Sequence, residues 1–332
     1  ISKRSFLIAG LPITVYGYNE LHPQTTQFAC VWLLHGRLNS QACMEPIATS
    51  LVGHWNEKWY DVANSSPLRQ RGLIAVSFDQ RNHGSRLVDS MANKTWLEGN
   101  ETHAQDMFAT YHGTSVDLSF LMDHLMLYLF PQATVEISMH AVIGVSLGGH
   151  AAWHTLFHEP RVRCAVIILG CPDFIRLMVE RASQSNSSSL SSDTSQSIRN
   201  HNSLMDSKLL PQSLLNLIKR YDPAALLAGQ QFLREPYFSA YPETVLNNQK
   251  YDQSAAEKLK RTLRGKSVLN ISGTADELVP YRCCGPFLTA LRVMIKSDGC
   301  LADEGISLHN VFLEDVGHEV TVKAVEETVN FM

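Results

Sequence analysis

The sequence predicts an α/β fold: a mostly parallel, twisted sheet flanked by helices. Three observations lead there. Short β-branched or apolar runs alternate with helical stretches, the pattern of parallel strands joined and covered by helices. The length of 332 residues, with 45% hydrophobic and 18% charged residues, suits a large folded domain with an inserted piece. Finally, a glycine-flanked serine stands between one apolar run and the helical stretch after it.

The strand runs are Cys30 to Leu34, Leu73 to Phe78, Ala141 to Val145, Ala165 to Leu169, Ser267 to Ser272 and Leu308 to Leu313. Ahead of them, Phe6 to Tyr18 with Gly10-Leu11-Pro12 in its middle reads as an antiparallel edge hairpin. Helices are expected over Gln41 to Trp55, Ala104 to Leu129, Leu147 to His158, Pro286 to Ile295 and Val320 to Met332. The stretch from Phe174 to Arg264 is far longer than the usual strand-to-helix connection, so residues 174–264 are expected to form a helical lid on a core of 1–173 and 265–332. Within it, nine of the fifteen residues from Ser183 to Ser197 are serine, which predicts a mobile loop over 183–197 because so polar a run buries too little to offset its ordering. Leu209 to Leu227 and Ala255 to Leu263 look helical, with Pro223, Pro236 and Pro242 breaking the run between them.

A formal charge of −4 supplies no basic field for a phosphate backbone, so nucleic acid is not an expected partner. Apolar stretches such as Phe28 to Leu34 fall far short of the roughly 20 residues of a membrane span. Seven cysteines without C-x-x-C spacing, Cys283-Cys284 included, read as small buried hydrophobes rather than disulfides or a metal site. Asn64, Asn93, Asn100, Asn186 and Asn270 head N-x-S/T sequons, read as mostly chance because Asn270 falls in a core strand. The expected location is cytoplasmic, and the expected partner is a small-molecule substrate.

The strongest chemical signal is Gly144-Val145-Ser146-Leu147-Gly148-Gly149, directly after a strand and before a helix. A nucleophilic serine on so sharp a turn projects above the sheet, and the flanking glycines avoid the clashes that a Cβ would cause there. A serine hydroxyl needs a general base, and the base needs an orienting carboxylate. His318, on the loop after the last strand, is the candidate base. Asp276, after the strand Ser267 to Ser272, is the candidate acid, with Asp173 and Asp315 as alternatives. The transition state also needs donors for its oxyanion; the backbone N–H groups of Leu147 and of Arg37, in the loop His35-Gly36-Arg37, are expected to supply them.

These motifs, in the order Ser, Asp, His, resemble the α/β-hydrolase superfamily over the sheet elements from about Phe6 to Met332, with the lid outside the match. Phe78-Asp79-Gln80-Arg81-Asn82-His83-Gly84 is similar to that family's D-x-R-G-x-G loop, with Asn82 where glycine is common, and reads as structural, as does His35. Arg37 departs from the pattern; its side chain is able to pair with a substrate carboxylate, although a surface or lid-bridging role is the plainer reading. Tyr237, Phe238 and Tyr241 in the lid are candidate pocket walls. His150, His154 and His158 share a helix face, but no carboxylate or cysteine completes a metal set, so polar packing is expected and neither metal nor cofactor is required.

The expectation is a serine hydrolase of small-molecule esters, thioesters or lactones acting through an acyl-enzyme. Its rivals are a carbon-carbon bond hydrolase or peptidase on the same residues, and a non-catalytic ligand-binding protein or receptor of this fold.

Overall fold

The structure, a computed structural model, describes residues 1–60, 71–186, 207–229 and 253–332. Among them, eight strands form one sheet in the order β1-β2-β4-β3-β5-β6-β7-β8. The hairpin β1 (Lys3–Ile8) and β2 (Leu11–Tyr16) runs antiparallel along one edge, turning on Ala9-Gly10. The strands β3 (Gln27–Leu34), β4 (Arg71–Phe78), β5 (Glu136–Val145), β6 (Val162–Ile168), β7 (Ser267–Gly273) and β8 (Ser307–Leu313) are parallel.

The period of two explains why their sequences are apolar throughout. Phe28, Cys30, Trp32 and Leu34 of β3 enter the core on one face, and Val31 and Leu33 enter the core on the other. The first core is closed by α2 (His103–Leu129), α3 (Leu147–His158) and α8 (Tyr281–Met294). The second includes Ile47, Leu51 and Val52 of α1 (Glu45–Tyr60) and Ala324 of α9 (Val322–Phe331). The chain leaves β3 for β4 on one side and returns to β5 on the other, so the carboxyl ends of β3 and β5 flank a topological switch point, where open α/β sheets bind ligands.

Several boundaries differ from the sequence expectation for identifiable reasons. Strand β5 begins at Glu136 rather than Ala141, because its first half is partly exposed and alternates in polarity, outside the apolar run. Helix α8 begins at Tyr281, with Pro280 as its N-cap and Pro286 inside it, rather than at Pro286. Helix α9 starts at Val322 because Thr321 caps it, its hydroxyl accepting the Ala324 N–H at 3.2 Å.

In 174–264 the described helices are α4 (Phe174–Asn186), α5 (Gln212–Tyr221), α6 (Pro223–Ala228) and α7 (Gln253–Leu263). Pro223 does not interrupt the run at random. It sits at the first position of α6 behind Asp222, whose carboxylate accepts the Ala224 N–H at 3.0 Å. Leu177, Leu214, Ile218, Leu227 and Leu259 of these helices join the same core as α2 and α3. The serine run does not begin as a loop: α4 continues to Asn186, with Ser183 Oγ donating back to Val179 O at 2.9 Å. The rest of 183–197, together with Asn64, Pro236, Tyr237, Phe238, Tyr241 and Pro242, lies outside the described residues.

All seven cysteines are free thiols. Asn270 is fully buried in β7, bonded to Ser272 and Asn310, and Asn93 and Asn100 are also buried. Among the described residues no helix is long and apolar enough to cross a membrane.

Candidate active site

Ser146 stands between β5 and α3 with φ 54° and ψ −113°, a backbone conformation that L-residues rarely adopt. Its surroundings impose the conformation. The Ser146 N–H donates to Ile168 O of β6 at 2.8 Å, and its carbonyl accepts the His150 N–H at 3.0 Å in the first turn of α3. Gly148 lies flat on the end of β3, where a Cβ would run into the Leu34 and His35 carbonyls; a Cβ on Gly144 would strike the Gly148 backbone. The two glycines therefore let the turn close against β3, and Ser146 is left half-buried.

His318 reaches Ser146 from the loop after β8, its Nε2 2.8 Å from Oγ. Its Nδ1 is 2.7 Å from Asp276 Oδ2. The other Asp276 oxygen, Oδ1, accepts the Leu278 and Val279 N–H groups, each at 2.9 Å. Burial works against the Asp276 charge, but the His318 hydrogen bond and the two backbone donors outweigh it and hold its pKa below the ordinary 3.8. An ionised Asp276 makes Nδ1 the protonated nitrogen, leaving Nε2 as an acceptor for the Ser146 proton.

Two loops bring His318 and Asp276 together by locking onto each other. The Ala275 N–H donates to Val316 O at 3.0 Å, and the Asp315 N–H donates to Thr274 Oγ1 at 2.8 Å. Gly273 is pressed against the Val316–Gly317 backbone, with 2.8 Å between a Cβ built on it and Gly317 O. The alternative acids are elsewhere. Asp315 is exposed on a left-handed turn residue, and Asp173 is buried at the start of α4, paired with Arg176 Nε at 3.1 Å and accepting its N–H at 3.0 Å.

The loop after β3 sits against the serine: a Cβ on Gly36 would be 3.6 Å from Ser146 Cβ. Arg37 follows, and Leu147 is the first residue of α3, where a backbone N–H has no intrahelical acceptor. The loop is braced from below by the 79–86 segment. Gln80 N–H donates to His35 Nε2 at 3.0 Å, the Gln80 amide donates to His35 O, and His35 Nδ1 faces Gly36 O at 2.8 Å. Burial pushes the His35 pKa down to about 4, so its ring is neutral and serves as an acceptor. Asp79 holds the two segments together through the Gln41 N–H at 2.7 Å and the Ser85 N–H at 2.8 Å. Asn82 has φ 57° and uses its Oδ1 to accept the Val88 and Asp89 N–H groups at 3.0 and 2.8 Å. Asparagine tolerates that backbone and adds bonds that glycine lacks.

Arg37 is half-buried, and its guanidinium donates to Asn93 O at 3.0 Å. Arg181 of α4 reaches the loop that holds Asp276, its Nη2 3.4 Å from Leu278 O. Nothing local in the sequence distinguishes Arg181, since its neighbours here come from segments about a hundred positions away.

The three helix histidines do not converge. His150 accepts the Cys171 N–H at its Nδ1 (2.9 Å), whereas His154 lies tilted against His158 and His112 with ring centres 4.2 and 4.9 Å apart. Among the described residues no group of three or more His, Cys, Asp or Glu side chains is arranged to hold a metal ion.

No protein-family model matches the sequence, and no curated protein matches it. Solved structures do match in shape. TT1662 from Thermus thermophilus aligns over 100% of this chain and 97% of its own, at 14% identity and a TM-score of 0.56. The acylaminoacyl peptidase of Pyrococcus horikoshii aligns over 99% of this chain at 12% identity and a TM-score of 0.52, and this chain spans 41% of that longer protein. Strand order, the strained serine turn after β5 and these superpositions together establish that the chain has the α/β-hydrolase fold.

Proposed function

We propose that the protein is a serine hydrolase that cleaves an ester-type bond of a small molecule, an ester, thioester or lactone, through an acyl-enzyme. The observation that carries this reading is the unbroken relay from Asp276 through His318 to Ser146, with links of 2.7 and 2.8 Å, on a serine held at φ 54°. In the first half-reaction Ser146 Oγ bonds to the acyl carbon as its proton passes to His318 Nε2. The tetrahedral oxyanion is held by the N–H groups of Leu147 and Arg37. It collapses as His318 returns the proton to the leaving alcohol or thiol. Water, deprotonated by His318, then hydrolyses the acyl-enzyme and restores Ser146.

Asp276 stays ionised throughout, fixing the His318 tautomer and offsetting the charge of the imidazolium. Residues 174–264 serve as the lid in this reading, with Tyr237, Phe238 and Tyr241 as pocket walls. The carbon-carbon, peptide-bond and non-catalytic alternatives have no observation of their own in their favour.

The test is intact mass after fluorophosphonate treatment of wild type and Ser146→Ala, together with turnover of p-nitrophenyl esters of graded chain length. The expected result is one adduct on wild type, none on Ser146→Ala, and ester turnover that disappears with the adduct. A folded wild-type protein that neither labels nor turns over any ester refutes the proposal.

A further inference from the structure

The backbone N–H of Arg37 belongs to the peptide whose carbonyl is that of Gly36. A peptide is planar and trans, so whatever fixes the Gly36 carbonyl also fixes the direction of that N–H. Two donors reach the carbonyl. His35 Nδ1 lies 2.8 Å from Gly36 O, and the Asn39 N–H donates to the same oxygen at 3.3 Å, closing a turn over residues 36–39. The turn does not hold itself. Its third residue, Leu38, has φ 63°, a position where such a turn favours glycine and a leucine is strained. At 60% exposure the leucine side chain supplies little packing to offset that strain, so contacts from outside the turn must hold it.

His35 is fully buried, and its surroundings decide which ring nitrogen carries the proton. The Gln80 N–H donates to Nε2 at 3.0 Å, so Nε2 presents a lone pair. In a neutral ring the proton then sits on Nδ1, the nitrogen that faces Gly36 O. Gln80 holds the same residue a second time: its amide nitrogen donates to His35 O, and its amide oxygen lies 3.1 Å from Thr114 Oγ1 of α2, which orients the amide. Two ionisable groups face the ring from the segment after β4. Asp79 Oδ1 is 3.9 Å from Nε2 but is taken by the Gln41 N–H at 2.7 Å, and the His83 ring is centred 5.7 Å away. Burial outweighs both the Gly36 hydrogen bond and Asp79 and keeps the ring neutral.

We propose that His35 is a positioning residue for the oxyanion hole: Gln80 sets its tautomer, its Nδ1–H holds the Gly36 carbonyl, and the Gly36–Arg37 peptide aims the Arg37 N–H at the oxygen that becomes charged when Ser146 attacks. The hydrogen bond on the carbonyl also polarises the peptide and strengthens that N–H as a donor. The peptide is close to the nucleophile, since a Cβ built on Gly36 would be 3.6 Å from Ser146 Cβ. His35 thus serves the oxyanion donor as Asp276 serves the base, holding an orientation without touching the substrate. This role rests on the serine-hydrolase reading with Arg37 as one oxyanion donor.

Two substitutions separate the two ring nitrogens. His35→Asn places an amide nitrogen where Nδ1 stands, able to donate to Gly36 O. His35→Gln places an amide oxygen where Nε2 stands, which accepts the Gln80 N–H but leaves the Gly36 carbonyl without the ring donor. In steady-state ester kinetics His35→Gln is expected to lose about 10²-fold in kcat with KM little changed, the scale of one oxyanion donor, while His35→Asn keeps most of the wild-type kcat. Thermal unfolding checks that both variants are folded; loop bracing alone would make kcat follow stability rather than the placing of the amide. Equal kcat in the two variants, a higher kcat in His35→Gln, or a loss carried by KM overturns the proposal. The imidazole nitrogen NMR shifts of wild-type His35 need no variant: a proton on Nδ1 is expected, and a proton on Nε2 overturns the proposal even if neither variant folds. Fluorophosphonate labelling of wild type keeps the two claims apart. A wild type that labels and turns over ester but fails the His35 comparison overturns the positioning role alone, whereas one that does neither refutes the hydrolase reading and the role of His35 with it.

Discussion

Asp276 accepts three hydrogen bonds, from His318 and from two backbone N–H groups, and this places its negative charge at His318 Nδ1. Replacing it with asparagine keeps the shape and removes the charge. An asparagine also presents an amide that favours the wrong imidazole tautomer, with the proton on Nε2 facing Ser146. Asp276→Asn is therefore expected to lower kcat by roughly 10³- to 10⁴-fold with little change in KM, the scale of losing tautomer control in a serine relay. Steady-state ester kinetics check this, and a loss below about tenfold would mean that another carboxylate orients His318.

Among elements, the decisive contact is between the serine turn and the end of β3. Gly148 has no room for a side chain there, because the carbonyls of Leu34 and His35 occupy the space and backbone atoms cannot swing aside. Gly148→Ala is expected to push α3 away from β3, separating the Leu147 and Arg37 N–H groups. Losing one oxyanion donor costs about 10²- to 10³-fold in kcat, and a drop of that size is the expected result. Thermal unfolding of the same variant is expected to show a lower midpoint, the strain being stored in packed backbone. The loop pair at the other end behaves alike: Gly273 abuts Val316 and Gly317, so Gly273→Ala is expected to displace His318 from Asp276 and to suppress fluorophosphonate labelling.

Across the whole molecule, folding buries several imidazoles in a neutral state. His35 Nε2 accepts from the Gln80 N–H, His140 Nδ1 accepts from Trp32 Nε1 at 3.1 Å, and His103 Nε2 faces the Arg181 guanidinium. Protonating any of these nitrogens destroys the contact, and burial pushes all three pKa values from 6.5 to about 4. Between those values the unfolded chain binds more protons than the folded one. Stability is thus full above pH 6.5 and falls as pH drops toward 4, by at most about 1.4 kcal/mol per pH unit for each histidine. Denaturant unfolding at pH 7, 6, 5 and 4.5 measures this; a His140→Gln variant is expected to show a shallower loss, and an unchanged midpoint down to pH 4.5 would contradict it.

The sheet, the serine turn and the order of the three candidate residues were legible in the sequence because they depend on local chemistry. Apolar runs mark strands buried on both faces, and a serine between glycines after such a run marks a tight strand-to-helix turn. Boundaries were less legible where a partly exposed strand half or a cap decided them, as at Glu136 and Thr321. The sequence favours Asp276 over Asp173 and Asp315 because it follows a late strand in the order Ser, Asp, His, while the contact itself depends on the locking of two loops from neighbouring strands. Arg181 carried no sequence signal at all, because its contacts with His103 Nε2 and Leu278 O come from packing α4 against distant segments. The sequence by itself determined the strand-and-helix order and pointed to Ser146, His318 and Asp276, since these follow from periodicity, turn geometry and chain order. That the Asp276 carboxylate meets that histidine was decided only by the tertiary structure, because the contact joins residues 42 positions apart on two separate loops.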